Sequence, residues 1–292
     1  MNKSILLSAQ NLSSIGGSEM YHYELARELN LKGYNVYLYQ YNSIIHDIYF
    51  FNKIKEFCKD IFLREIPADF RPDLILTSQP NPTLYILSKY RNTNIPILSV
   101  IHSEIRSEDP IIDSRINGYI AIRPTIQEML IEKYKLNNVH LIYNPIDLSR
   151  FNNTISKKTK YRPIALFVGE VLDNIRIRPA TDFANTYIDK QYEIHFVSKS
   201  RFYEYDSNYI KFHDPHFNIE YLLSMADITG GIVSGRTQWE SIAMGIPHVN
   251  YWIDITGNIT DIELIKPGDI SIDLFDSKQV VNHVLKVFKE LL

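Results

Sequence analysis

The N-terminal stretch constrains the fold more than any other part of this sequence. Residues 4–8 are a short apolar run that reads as a strand, and residues 10–15 are a polar loop. Gly16-Gly17-Ser18-Glu19 follows, then a helical pattern with Tyr21, Leu25 and Leu29 at i, i+4, i+8 and charges at Glu24, Arg27 and Glu28. Gly33 ends the helix, and residues 36–41 read as the next strand. Strand, glycine loop, helix, strand is a βαβ unit. It commits the chain to a parallel sheet flanked by helices, with ligands expected at the carboxyl ends of the strands. The dinucleotide fingerprint needs a third spaced glycine, so Gly16-Gly17 fits a plain turn as well as a ligand loop.

The alternation continues. Residues 73–77, 95–101, 118–122, 139–142, 163–168, 193–197, 209–213, 226–233 and 248–252 read as strands. Residues 83–90, 125–134 (capped by Thr125), 218–225 and 277–292 read as helices, the last with Val280, Val284, Val287 and Phe288 as its apolar stripe. Residues 44–66, rich in Ile, Phe and Tyr with lysines at 53, 55 and 59, read as a core-packing helix with a solvated lysine face. A membrane-surface or acceptor-facing helix is the other reading. Residues 152–162 read as a linker, and 254–258 as a turn. A chain of 292 residues suits two domains. A net charge of −3, balanced in the first 150 residues, gives no electrostatic footprint for duplex DNA. The lone Cys58 excludes an intramolecular disulfide and any cysteine metal cluster. No apolar run is long enough to span a bilayer and no signal-peptide pattern opens the chain, so a cytoplasmic location is expected.

The stretch with the most chemistry is residues 234–247. Gly235 allows a close backbone approach, Thr237 is placed to cap a short helix ending at Gly245, and Pro247 is a stop signal. A helix N-terminus after a glycine turn suits a phosphate, and Arg236 adds donors at the same place. Glu240 either accepts hydrogen bonds from two ribose hydroxyls or merely complements the helix dipole. His102 lies just past the strand at 95–101, in the ligand crevice of an open α/β sheet.

These segments together resemble GT-B glycosyltransferases, in particular the retaining family GT4. Gly16, Gly17, Glu19, Leu25, Ala26, Leu29, Gly33, Tyr34 and Val36 fit that family's opening. Residues 143–151, Tyr-Asn-Pro-Ile-Asp-Leu-Ser-Arg-Phe, are similar to its interdomain crossing, and Met225-Ala226-Asp227-Ile228 to the run before its donor segment. Gly235, Glu240, Ala243, Met244, Gly245 and Pro247 match the donor segment itself. The resemblance implies an α/β GT-B fold of two Rossmann-like domains facing a central cleft. Residues 1–150 would be the acceptor side and 151–292 the nucleotide-sugar side, with the last helix able to pack back on the first domain. Two departures stand out: Ile232 replaces the first glutamate of the family's E-x7-E pair, and Glu170 replaces a diphosphate-binding arginine. Arg176, with Arg178 second, is the expected cationic replacement; surface arginines on a loop are the other reading.

The implied activity is sugar transfer from a nucleotide-diphosphate donor, a UDP-sugar first, to a hydroxyl acceptor, retaining and metal-independent, with no cofactor. His102 would contact the donor sugar. Gly16, Gly17, Arg176, Arg178, Gly235, Arg236, Thr237 and Glu240 would bind the donor. A glycan, a lipid-linked sugar, a protein or a modified DNA base would be the acceptor. A GT-B type nucleotide-sugar epimerase and a non-catalytic nucleotide-sugar binding protein are the alternatives. Donor conversion without any acceptor favours the first, and binding without turnover favours the second.

Overall fold

A computed structural model describes residues 3–104, 109–151, 162–169, 174–201, 209–233, 235–254 and 256–291. The chain forms two units: Met1–Ile146 with Leu274–Leu292, and Asp147–Asp273.

The first unit opens with β1 (Ser4–Ala9), α1 (Gly17–Leu31), β2 (Asn35–Gln40), α2 (Ile48–Lys55) and β3 (Asp60–Leu63). It continues with β4 (Leu74–Ser78), α3 (Pro80–Lys89), β5 (Ile97–Ile101), β6 (Gly118–Ala121), α4 (Pro124–Glu132) and β7 (Val139–Leu141). The sheet order is β3-β2-β1-β4-β5-β6-β7, and every pairing is parallel. β4, β5 and β6 are buried along their whole length, which is why they read as continuous apolar runs and not as alternating ones. The order reverses between β1 and β4, the switch point of the sheet.

Two expectations are corrected here. Residues 44–66 are not one helix. Only Phe50 and Ile54 of α2 are buried, and beyond Lys55 the chain extends and pairs as β3 with β2, where Phe62 lies parallel to Tyr37. Thr125 is not the cap of α4. Arg123 stands at the N-cap with Pro124 at the first helical position, and the Thr125 hydroxyl donates instead to Glu104.

The second unit comprises β8 (Ile164–Val168), α5 (Asn174–Ile188), β9 (Glu193–Val197), β10 (Ile210–His213) and α6 (Glu220–Met225). It ends with β11 (Ile228–Ile232), α7 (Arg236–Ala243), β12 (His248–Ile253) and β13 (Ile259–Ile265). Its sheet order, β10-β9-β8-β11-β12-β13, repeats the first six positions of the other sheet, with β13 antiparallel to β12. The core is aromatic: Phe167, Phe183, Tyr187, Phe196 and Tyr251. α5 was not expected as a helix, yet Ala180, Phe183, Ala184 and Tyr187 make a buried i, i+3, i+4, i+7 stripe that outweighs Pro179 inside it. β13 was also not expected; the turn before it is closed by Asp254, whose Oδ1 accepts from Thr256 N, Thr256 Oγ1 and Asn258 N.

After β13 the chain forms a 3-10 turn (Ile272–Phe275) and α8 (Ser277–Leu291), which belongs to the first unit. The division expected at residue 150 therefore falls at Asp147, and 274–291 leave the second domain for the first. The local reason is visible at both seams. Ile146 N donates to Phe275 O at 2.7 Å and Ser277 N to Ile146 O at 2.9 Å. Arg150, by contrast, donates to Phe217 O and Glu220 within the second unit. α8 also lies against α1: the Ser277 hydroxyl donates to Glu28, which with Glu24 pairs with Arg27. Glu28, at 3% exposure, thus lies beneath another helix, and Glu24 beside it is fully buried.

Candidate functional site

In the first unit the residues singled out by sequence gather at the switch point. Gly16 is the N-cap of α1, in extended backbone, and Met20 N donates back to its carbonyl. A Cβ on Gly16 would come within 2.5 Å of Glu19 Oε2, so a larger residue there would make the Glu19 carboxylate shift. The Glu19 carboxylate accepts from Ser14 Oγ at 3.0 Å and Ser18 Oγ at 2.9 Å, placing an acid over the helix start. Gly17 has open space where its side chain would be. Across the switch point, Gln10 N donates to Gln79 Oε1 at 2.8 Å, and Gln79 holds a φ of 68° at the end of β4.

His102 follows directly on β5. Tyr21 of α1 meets its ring edge-on at 5.0 Å, and His22 lies at 6.0 Å. Its Nε2 is closed to solvent and has no hydrogen-bond partner among the described residues, as is true of Tyr21 Oη and Ser8 Oγ nearby in the same unit. Burial, then the neighbouring His22 and Arg123, push the His102 pKa down to about 3, so the imidazole is neutral at physiological pH. His22 is held at about 4, mainly by burial, while it shares a 2.7 Å hydrogen bond with Ser18 O. Glu104, two residues beyond His102, is tied to Arg123 and Thr125. Burial raises that carboxyl, but Arg123 and Thr125 donate to it and more than offset the effect, so it stays below its usual range.

In the second unit the switch point lies between β8 and β11, and α5 and α7 start at the carboxyl ends of these two strands. Gly235 is the N-cap of α7, and no side chain caps the helix. Thr237 is not the cap. It lies in the first turn, and its carbonyl accepts from Ser241 Oγ. Arg236 is not a free fork either: it is 7% exposed and its Nε donates to Glu240 Oε1 at 2.6 Å, an i, i+4 pair buried on the helix. Glu240 is 4% exposed. Val233, just before this segment, has a φ of 59°, costly for a β-branched residue. Ile232 is the last residue of β11, opposite Tyr251. Arg176 and Arg178 lie near the start of α5 and not on a loop; Arg178 Nη1 donates to Asn258 Oδ1 in the β12–β13 turn. Glu170 and Ser234 lie outside the described residues.

The structure therefore joins Gly16, Gly17 and His102 in one unit, and Gly235, Arg236, Thr237 and Glu240 in the other. Sequence reasoning missed the serine hydroxyls that hold the Glu19 carboxylate and the Tyr21–His22–His102 cluster. The Arg236–Glu240 spacing was the signal for the ion pair. Among the described residues no group of three or more His, Cys, Asp or Glu stands in metal-binding geometry. No helix among them is long and apolar enough to cross a membrane.

Residues 15–150 match the family Glycosyltransferase Family 4. No curated protein sequence matches the chain. Among solved structures, a glycosyltransferase from Rickettsia africae ESF-5 superposes with a TM-score of 0.63 at 13% identity, over 99% of this chain and 89% of that one. An alpha-glucosyltransferase in complex with UDP and a 13-mer DNA gives 0.60 at 13% identity, over 100% and 91%. A UDP-N-acetylglucosamine 2-epimerase from Rickettsia bellii gives 0.62 at 13% identity, over 99% and 97%. The fold is that of the GT-B glycosyltransferases, with two Rossmann-like domains.

Proposed function

We propose that this protein transfers a sugar from a nucleotide-diphosphate donor to a hydroxyl acceptor, with retention of configuration and without a metal. The observation that carries this reading is the start of α7. An eight-residue helix with no side-chain cap opens at the switch point of the second sheet, where its N-terminal backbone and positive dipole end suit a diphosphate. Arg176 and Arg178, on the helix that follows the adjacent strand, supply positive charge for the same group. Glu240 Oε1 is taken by Arg236, which leaves Oε2 to accept from the ribose hydroxyls. His102, neutral, exchanges hydrogen bonds with a sugar hydroxyl and carries no charge. The match of residues 15–150 to Glycosyltransferase Family 4 supports the reaction class, and UDP in a structural neighbour supports a uridine donor.

Thermal stabilisation by a panel of nucleotide sugars, with and without magnesium, tests the reading. A ligand at ~100 times its dissociation constant adds about 2.7 kcal/mol to stability. The expected result is a shift with one nucleotide-diphosphate class, independent of magnesium and lost in Glu240→Ala. No shift with any donor would sink the donor site. The epimerase superposition gives a second reading, favoured if the donor is converted with no acceptor present.

A further inference from the structure

Beneath the start of α7 the core of the second unit turns polar. Thr229, Gln238, His248 and Asn250 are each no more than 1% exposed, and together they make a chain of side chains across three elements. Thr229 Oγ1 on β11 and His248 Nδ1 on β12 stand 2.8 Å apart, side by side in register. Asn250, two positions on and so on the same face of β12, donates from Nδ2 to Gln238 Oε1 of α7 at 2.7 Å. Gly231, opposite Asn250, borders the His248 ring: a Cβ there would stand 3.4 Å from Cε1 and Nε2.

Stability does not explain this chain. Asn250 Oδ1 lies beside His248 with no partner at hydrogen-bond distance among the described residues, and a buried acceptor left so is a cost to the fold. The opposite face of the same strand supplies Val249 and Tyr251 to an apolar core, so β12 has no general need of polar groups. What a hydrogen bond adds over apolar packing is direction. Trp239 and Ile242 bury α7, but apolar burial does not fix where along the sheet a helix stands. An amide-to-amide bond at the third residue of the helix does. Gln238 N also turns inward, to Gly235 O at 3.2 Å, so the side chain and backbone of this one residue tie the N-cap to β12.

We propose that Gln238 and Asn250 are positioning residues for the diphosphate site at the start of α7, an anchor that sets where the first turn of the helix meets the donor. This rests on the nucleotide-sugar reading and adds to it the two side chains that hold the helix in place. Neither touches the donor; both act through the backbone of α7.

The test replaces both amides by apolar groups of similar size, Gln238→Leu with Asn250→Leu, in the full chain. Three quantities are read: the urea midpoint, hydrogen exchange of the amides of 236–243, and calorimetric affinity for UDP, ADP and GDP. Removing both partners of a buried bond is nearly neutral for stability, so the midpoint stays at or above that of the wild type. Exchange in α7 quickens, and affinity for the nucleotide that the wild type binds falls about tenfold, the worth of one hydrogen bond to a charged group. The exchanged pair, Gln238→Asn with Asn250→Gln, keeps the summed length of the two side chains and recovers most of the affinity. Should the leucine variant not fold, Gln238→Met, of nearly the same shape but unable to accept the bond, is read in its place for exchange and affinity. Wild-type affinity, unchanged exchange in α7, or no recovery in the exchanged pair would overturn the proposal. A wild type that binds one nucleotide while the variant matches it removes only the anchor; a wild type that binds none of the three removes the donor reading itself, and the anchor with it.

Discussion

At the scale of single residues, the second unit turns on a side chain that is missing. A Cβ on Gly230 would lie 2.5 and 2.6 Å from ring carbons of Phe183 and 3.2 Å from Phe167. Phe183 cannot swing away, because Tyr187 packs at 4.7 Å and Tyr251 at 6.4 Å. Gly230→Ala is therefore expected to cost about 1–3 kcal/mol by overpacking, read as a lower urea midpoint at unchanged slope. The sequence shows Gly230-Gly231 inside a strand but not which of the two is crowded; a Cβ on Gly231 meets nothing nearer than 3.4 Å. The same limit applies at the sites. His102 was legible because the end of a buried strand fixes its place. The acid over Gly16 was not, since it depends on a rotamer of Glu19. Arg236 and Glu240 were legible as residues but not as a pair. Each was assigned to a ligand, and the structure adds that their spacing on one turn of helix also pairs them with each other.

At the scale of elements, α8 is the clearest dependence. Val280, Val281, Val284, Leu285, Val287 and Phe288 are buried, each worth about 1.5–3 kcal/mol, a sum that rivals the stability of a whole domain. Truncation after Asp273 is expected to abolish cooperative unfolding of the first unit and leave the transition of the second; an unchanged first transition in calorimetry would show that α8 is dispensable. The apolar stripe of α8 was readable from its period, but its destination came only from the family resemblance, because a stripe does not name its partner. The two sheets also share devices that no sequence repeat reveals. Asp73, before β4, accepts from Ser4 N at 2.7 Å, and Asp227, before β11, accepts from Ile164 N at 2.9 Å. Each ties the start of the fourth strand to the start of the first. Gln79 and Val233 then end those fourth strands with positive φ. The backbone demands one aspartate in each unit and leaves the surrounding side chains free to differ.

At the scale of the whole molecule, burial keeps histidines neutral in both units: His22 at a pKa of about 4 and His102 at about 3 in the first, and His248 at about 3 in the second. The folded values lie below the ordinary 6.5, so as pH falls the unfolded chain takes up these protons first. Their contribution is complete above about pH 6.5 and is lost as pH falls toward the folded values, by up to about 1.4 kcal/mol per pH unit for each histidine. Unfolding midpoints should therefore begin to drop between about pH 7 and pH 5, before most carboxylates titrate. A flat profile across that range would show that these histidines are protonated in the folded state.

The return of α8 to the first sheet also bears on how the protein is made. Synthesis proceeds from the N-terminus, and domains generally fold as they emerge. Here the first unit is complete only when residues 274–291 appear, after all of Asp147–Asp273. The unit encoded in the middle can close on its own contacts while the one encoded first still waits with the polar flank of α1, Glu24, Arg27 and Glu28, open to water. On the ribosome the order of maturation is the reverse of the order of translation.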